Sequence, residues 1–270
     1  MSHDTSPVTP ARLAQNSVFE RLARAGYVVN GLLHLIVGYL AIRIACGEGG
    51  TADQTGALAT LATKPGGPVV LWVATAALLT LGLWRLVETA FGRSSDRESQ
   101  GSSSAAWERA KAFGLAAVYL AFAYSALGFA RGAGQPADRQ NSSVSARLMQ
   151  TTAGTLALIA CGVIIVAVGV YHIYKGASCN FVGDLKGKTG DLVRRLGAAG
   201  YVAKGVVIAG TGALVVVAAC SSEPKKATGL DGALKTLGAQ PYGPALLVAA
   251  GLGIITYGLY SFVMARSNKM

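Results

Sequence analysis

The chain has 270 residues, of which 52% are apolar and 14% charged, with a mean hydropathy of +0.44 and a formal net charge of +11. A soluble domain usually carries about 25% charged residues, so this sequence lacks the polar groups to cover a water-facing surface. Its apolar residues gather into runs long enough to span a bilayer, which excludes a soluble globule and predicts an all-α polytopic membrane protein. The positive charge fits basic cytoplasmic loops facing anionic lipid headgroups, and no nucleic-acid partner is expected.

Residues 1–18 are mostly polar, contain Ser, Thr and Pro, and lack the apolar core of a signal peptide; they are expected to form a disordered cytoplasmic arm. Six transmembrane helices follow, at about residues 25–46, 68–91, 112–130, 152–174, 198–220 and 244–265. They group in twos. Residues 19–93 hold the first pair, a linker over 94–106 leads to the second pair in 107–178, and a linker over 179–193 leads to the third in 194–266. Outside the spans, Lys and Arg number fourteen on the side that carries the termini and seven on the other, with Arg43 at the margin. The positive-inside rule therefore places both termini in the cytoplasm.

The pairs repeat. Gly26-Tyr27-Val28-Val29-Asn30-Gly31 returns as Gly200-Tyr201-Val202-Ala203-Lys204-Gly205, a shift of 174 that also carries Gly38 onto Gly212 and Cys46 onto Cys220. Gly82-Leu83-Trp84 aligns with Gly169-Val170-Tyr171 and with Gly258-Leu259-Tyr260, and Leu127-Gly128-Phe129 aligns with Val37-Gly38-Tyr39. Three two-helix units that begin on the same side are parallel repeats, and they can close around a pseudo-threefold axis along the membrane normal.

Gly31 and Gly38 stand seven residues apart, as do Gly205 and Gly212, Gly162 and Gly169, and Gly251 and Gly258. That spacing puts each pair on one helix stripe, where small residues let backbones pack closely; Gly82 and Gly128 are expected to serve the same end. Gly-Pro at 67–68 and 243–244 suits the first turn of a helix. Residues 55–61 and 231–237, just before, read as short amphipathic helices at the outer surface.

Polar groups inside apolar spans are costly and are the natural place to look for function. Asn30 and His34 share a face of the first span, Lys204 lies one turn inside the fifth, and Tyr124 occupies the place of His34 in the middle unit. His34 reads either as a buried hydrogen-bonding residue or as a cavity-lining one. Arg85 and Glu88 align with His172 and Lys175, which makes these four candidates for a polar network at the inner mouth or for interfacial anchors. Trp84, Tyr171, Tyr174, Tyr257 and Tyr260 read as an interfacial aromatic belt. No metal site is expected, because the position of His34 holds Tyr124 and Ile208 in the other units. Cys46 and Cys220, at equivalent helix ends, are candidates for a disulfide.

The start Arg24-Ala25-Gly26-Tyr27, the Gly-rich first helix and the later Gly229-Leu230-Asp231-Gly232-Ala233-Leu234 resemble the bacterial membrane family DUF1206, a two-helix domain of unknown function that members typically carry three times. The resemblance covers about residues 18–266. It implies a three-domain, six-helix protein of the bacterial inner membrane and brings no activity, cofactor or catalytic residue. No phosphate loop, dinucleotide fingerprint or Ser-His-Asp set is present, so no enzyme is expected. Three parallel pairs also resemble the architecture of the mitochondrial carriers, without their Pro-x-[Asp/Glu]-x-x-[Lys/Arg] motif. The expected function is a small transporter or channel. The alternative is a scaffold or accessory subunit that binds lipid, another membrane protein or a second copy of itself.

Overall fold

The computed structural model describes residues 10–91, 102–185 and 190–267. Among them the chain is all helical apart from turns: α1 (Pro10–Ala45), α2 (Gln54–Ala62), α3 (Gly67–Phe91), α4 (Ser102–Ala130), α5 (Ala137–Leu148), α6 (Thr152–Ala177), α7 (Asp191–Ser221), α8 (Gly229–Gly238) and α9 (Gly243–Ser267). Six of these, α1, α3, α4, α6, α7 and α9, are long and apolar enough to cross a membrane. They coincide with the six expected spans, because length and hydropathy alone dictate them. The short helices α2 and α8 fall where the Gly-Ala-Leu stripes predicted them.

One expectation is corrected. Pro10 opens α1, where its missing N–H costs nothing, so residues 10–18 continue a helix instead of forming an irregular arm; residues 1–9 lie outside the described residues. Of the linkers between the pairs, residues 102–106 are helical as the start of α4, and 179–193 holds a 3-10 turn (Asn180–Asp184) and the start of α7. The short helix α5 had no counterpart in the sequence reading. Its first half, Asp138-Arg139-Gln140-Asn141-Ser142-Ser143, is polar throughout and gives no apolar stripe to find.

The chain divides into two compact units, residues 1–54 with 137–270, and residues 55–136. In the larger unit two antiparallel seams stand out. Gly31 and Gly38 of α1 meet Gly258 and Gly251 of α9, and Gly205 and Gly212 of α7 meet Gly169 and Gly162 of α6. A methyl group at Gly38 would stand 2.6 Å from the Gly251 carbonyl oxygen, and one at Gly169 would stand 2.7 Å from the Gly205 carbonyl oxygen. Both distances are below van der Waals contact, so the backbones touch only because side chains are missing. Helix α9 also packs on α7, and a core of Val37, Leu40, Ala41, Val207, Leu234, Leu247 and Ile254 fills the space between these helices.

A loop anchor joins this core. Asp231, 1% exposed, accepts the Ala52 amide at 2.7 Å on one carboxylate oxygen, while Lys235 Nζ lies 2.6 Å from the other. The acidic residue of the Gly-Leu-Asp-Gly-Ala-Leu stretch is thus a clasp between the chain after α1 and the helix α8.

In the smaller unit α3 packs on α4, with Gly82 against the Leu120 side chain instead of another glycine. Gly128 does not pack helices together: its open side faces Gly134 in the loop after its own helix, at 3.4 Å for an added methyl. Arg131 lies over Trp72, 5.9 Å from the ring centroid.

The chain turns into a long helix by the same device three times. At Gly67, Gly154 and Gly243 an added methyl would run into the backbone carbonyl of Leu61, Leu148 and Gly238 respectively, in the last turn of the preceding short helices. The residue before the first and third of these is left-handed, Gly66 at φ +76 and Tyr242 at φ +61. In the second, Thr151 caps α6 by accepting the Gly154 amide at 3.1 Å.

Candidate functional site

In the larger unit the two seams bring one end of α1, α6, α7 and α9 together. Glycines again decide the placement. Gly200 lets α7 approach α9 so closely that a methyl there would stand 2.6 Å from the Cα of Tyr257; Gly197 leaves room for the ring of Phe181, and Gly176 lets α6 reach the Cβ of Tyr201. The result is an aromatic cluster. Tyr201 stacks on Phe181 at 5.3 Å between centroids and meets Tyr257 and Tyr260 edge-on at 5.3 and 5.7 Å. Met264 completes the stripe Tyr257, Tyr260, Ser261, Met264, which repeats at helical spacing along α9 and is buried throughout.

A cleft of about 520 Å³ opens beside this cluster, lined by Tyr27, Lys175, Gly183, Asp184, Tyr201, Tyr257 and Met264. Its one close ion pair joins Lys175 Nζ to Asp184 at 2.7 Å, with the same ammonium 5.5 Å from the Tyr201 ring centroid. Tyr257 is part of its wall. Behind it stand three of the polar residues that the sequence singled out: Lys204 Nζ sits 3.9 Å from the Tyr257 centroid, and the His34 ring lies 4.8 Å away. Asn30 Nδ2 donates to Ser261 Oγ at 2.9 Å, and Ser261 Oγ donates to the Tyr257 carbonyl at 3.0 Å. His34 Nδ1 lies 2.7 Å from the Asn30 carbonyl, which can only accept, so Nδ1 carries the proton and Nε2 is left as an acceptor.

Lys204 is held by a ring: a desolvated cation–π contact is worth about 2 kcal/mol. Among the described residues no carboxylate pairs with Lys204. One further loose end lies alongside: the Tyr260 hydroxyl is fully buried and has no hydrogen-bond partner among the described residues.

The structure thus brings together Asn30, His34, Lys204 and Lys175. His172 stands at the edge, its ring 5.9 Å from Tyr201 and its Nδ1 donating to the Val168 carbonyl at 2.8 Å. Arg85 belongs to the other unit, and the Glu88 side chain lies outside the described residues. Tyr124, on α4, also belongs to the other unit and is 71% exposed. The aromatic belt is corrected in part. Trp84, Tyr171 and Tyr174 are exposed, as interfacial residues are, whereas Tyr257 and Tyr260 are 6% and 0% exposed and belong to the interior. Cys46 and Cys220 are free and exposed, not bonded: α1 seats on α9 while α7 seats on α6, so the equivalent helix ends belong to different seams.

Sequence reasoning missed Phe181, Asp184, Tyr201, Ser261 and Met264. The four-residue stripe on α9 was readable at its 3, 4 and 7 spacing, whereas Phe181 and Asp184 sit in a 3-10 turn that carries no periodic signal. Among the described residues no cluster of His, Cys, Asp and Glu could hold a metal ion.

A helical membrane protein with a polar and aromatic cleft at one end of its bundle is the class these features define. The model of the Domain of Unknown Function DUF1206 matches three stretches, residues 25–92, 110–178 and 199–268, and the chain belongs to this family. It is 28% identical to an uncharacterized protein, YxxB, of Bacillus subtilis (strain 168), over 93% of this chain and 92% of that one. No solved structure matches. The chain is a multi-pass bacterial membrane protein.

Proposed function

We propose that this protein is a small transporter or channel of the bacterial inner membrane, with both termini in the cytoplasm and its three parallel two-helix repeats arranged around a pseudo-threefold axis. The cleft carries the reading: a cavity of a size that holds small molecules has Tyr257 in its wall, and the ring of Tyr257 in turn touches Lys204 and His34 inside the spans. The excess of Lys and Arg on the side of the termini supports the orientation, and the three family matches support the repeat. In this arrangement the cleft is the cytoplasmic mouth. Lys175 and Asp184 flank its opening, and a path through the spans would pass His34 and Lys204.

Reconstitution into liposomes with a panel of ions and small metabolites tests the reading. Wild-type protein is expected to give a flux for at least one solute that His34→Ala reduces; a panel spanning cations, anions and neutral solutes with no protein-dependent flux counts against it.

A second reading, a lipid-binding scaffold or accessory subunit, is favoured by a different observation. A shallow groove of about 550 Å³ between α6, α7 and α9 is lined almost wholly by Gly, Ala, Val and Leu, as an acyl chain would require. Copurification of stoichiometric lipid, lost when Ala203 and Gly253 are enlarged, would favour it.

A further inference from the structure

The groove between α6, α7 and α9 is built from small residues. Ala198, Ala199, Val202 and Ala203 supply its α7 wall, and a methyl at Gly253 of α9 would strike the Ala203 side chain, so the two helices close its floor. Its one polar lining side chain among the described residues, Thr256, donates to the Leu252 carbonyl of its own helix at 2.7 Å. The walls therefore ask for an apolar occupant. From Ala249 to Thr256 the groove follows about 10 Å of α9, less than the roughly 15 Å of one hydrocarbon leaflet. At its end the chemistry changes. Counting 100° per residue, Arg195 lies within about 10° of the mean direction of the four α7 residues, one turn nearer the helix start, whereas Arg194 lies about 110° away. Arg195 is exposed and makes no hydrogen bond or ion pair among the described residues, Asp191 one turn before it included.

We propose that the groove seats one acyl chain of an anionic phospholipid, whose phosphate lies beyond the groove's end against Arg195. This rests on the lipid-binding reading of the groove and holds with or without transport. Side chains on a helix lean towards its start, which carries the guanidinium out of the groove and towards the membrane surface, where a headgroup lies. Arg195 is thus no wall of the groove; it stands on the groove's line, past its end. Its planar fork takes two phosphate oxygens at once. A zwitterionic lipid brings its own ammonium beside the phosphate, which competes with Arg195 for it. On the orientation proposed above, the start of α7 is cytoplasmic, so the lipid belongs to the inner leaflet.

Native mass spectrometry of the purified full-length protein in detergent reads the bound lipid directly. The probes are dioleoylphosphatidylglycerol and dioleoylphosphatidylcholine, which share their chains and differ in headgroup. Wild-type protein is expected to hold one phosphatidylglycerol with a preference of about fivefold or more over phosphatidylcholine. Arg195→Gln is expected to bring that preference within about twofold, and Arg194→Gln, on another face of α7, to leave it in place. Ala199→Leu with Ala249→Leu, both at exposed positions in the groove, is expected to lower the occupancy of either lipid. Equal binding of the two lipids by the wild type, a preference that survives Arg195→Gln, or unchanged occupancy in the double leucine variant overturns the proposal. A lipid-free dimer overturns it too, and gives the groove to a second copy of the chain. If the leucine variant does not fold, Arg195→Gln against Arg194→Gln decides. Lipid bound without headgroup preference removes this site and keeps the lipid-binding reading; absence of either lipid removes both.

Discussion

The α1/α9 and α6/α7 seams share a scaffold and differ in chemistry. Both run antiparallel, and both rest on two glycines from each helix spaced seven apart. The repeat places Lys204 where Asn30 stands, and His172 where Ser261 stands. In α1/α9 the pair closes on itself, Asn30 donating to Ser261 at 2.9 Å. In α6/α7 the equivalent pair does not close on itself. His172 turns to the carbonyl of Val168 on its own helix, and Lys204 crosses to the ring of Tyr257 on α9. A conserved backbone geometry thus holds a neutral bridge in one seam and an uncompensated charge in the other.

The glycines should prove equal where the polar groups prove unequal. Gly38→Leu and Gly169→Leu each force a side chain into a backbone carbonyl and should each destabilise by about 3 kcal/mol, read as a lowered midpoint of SDS-induced unfolding. A large loss in one seam and none in the other would break the comparison. Tyr260→Phe should act oppositely. It removes a buried hydroxyl that has no partner while keeping the ring, and should raise the unliganded protein's stability by about 1 kcal/mol; a loss would mean that the hydroxyl is bonded. Asn30→Ala should cost about 0.6 kcal/mol, the usual worth of an interhelical side-chain bond in a membrane. His172→Ala, whose bond lies within its own helix, should cost less than Asn30→Ala in the same unfolding assay and leave the α6/α7 seam intact.

The sequence carries more of the scaffold than of the site. Apolar runs of spanning length mark all six long helices, and glycine spacing marks both seams, because each is a one-dimensional pattern along a single helix. Which seam joins which helices is not such a pattern: nothing in α1 alone names α9 as its partner. The site depends on that partnership. Asn30, His34, Lys175 and Lys204 were visible as polar residues in apolar surroundings, yet Tyr257 and Tyr260 read as interfacial tyrosines because burial is set by the neighbour that Gly200 admits. Gly128 differs for the converse reason. Repeat position suggested a role that depends on a facing glycine, and α3 presents Gly82 to a leucine instead.

The tight turn into α9 sets a phase. Gly243 is pressed against the carbonyl of Gly238, with no slack in the chain between the surface helix and the span. A helix advances 100° per residue, so one residue inserted between these glycines would turn every later side chain of α9 by more than a quarter circle. Gly251 and Gly258 would leave the backbone of α1, and in the same rotation Tyr257 would leave Lys204. The fit of the bundle and the neutralisation of its charge are therefore tuned at one place, outside both.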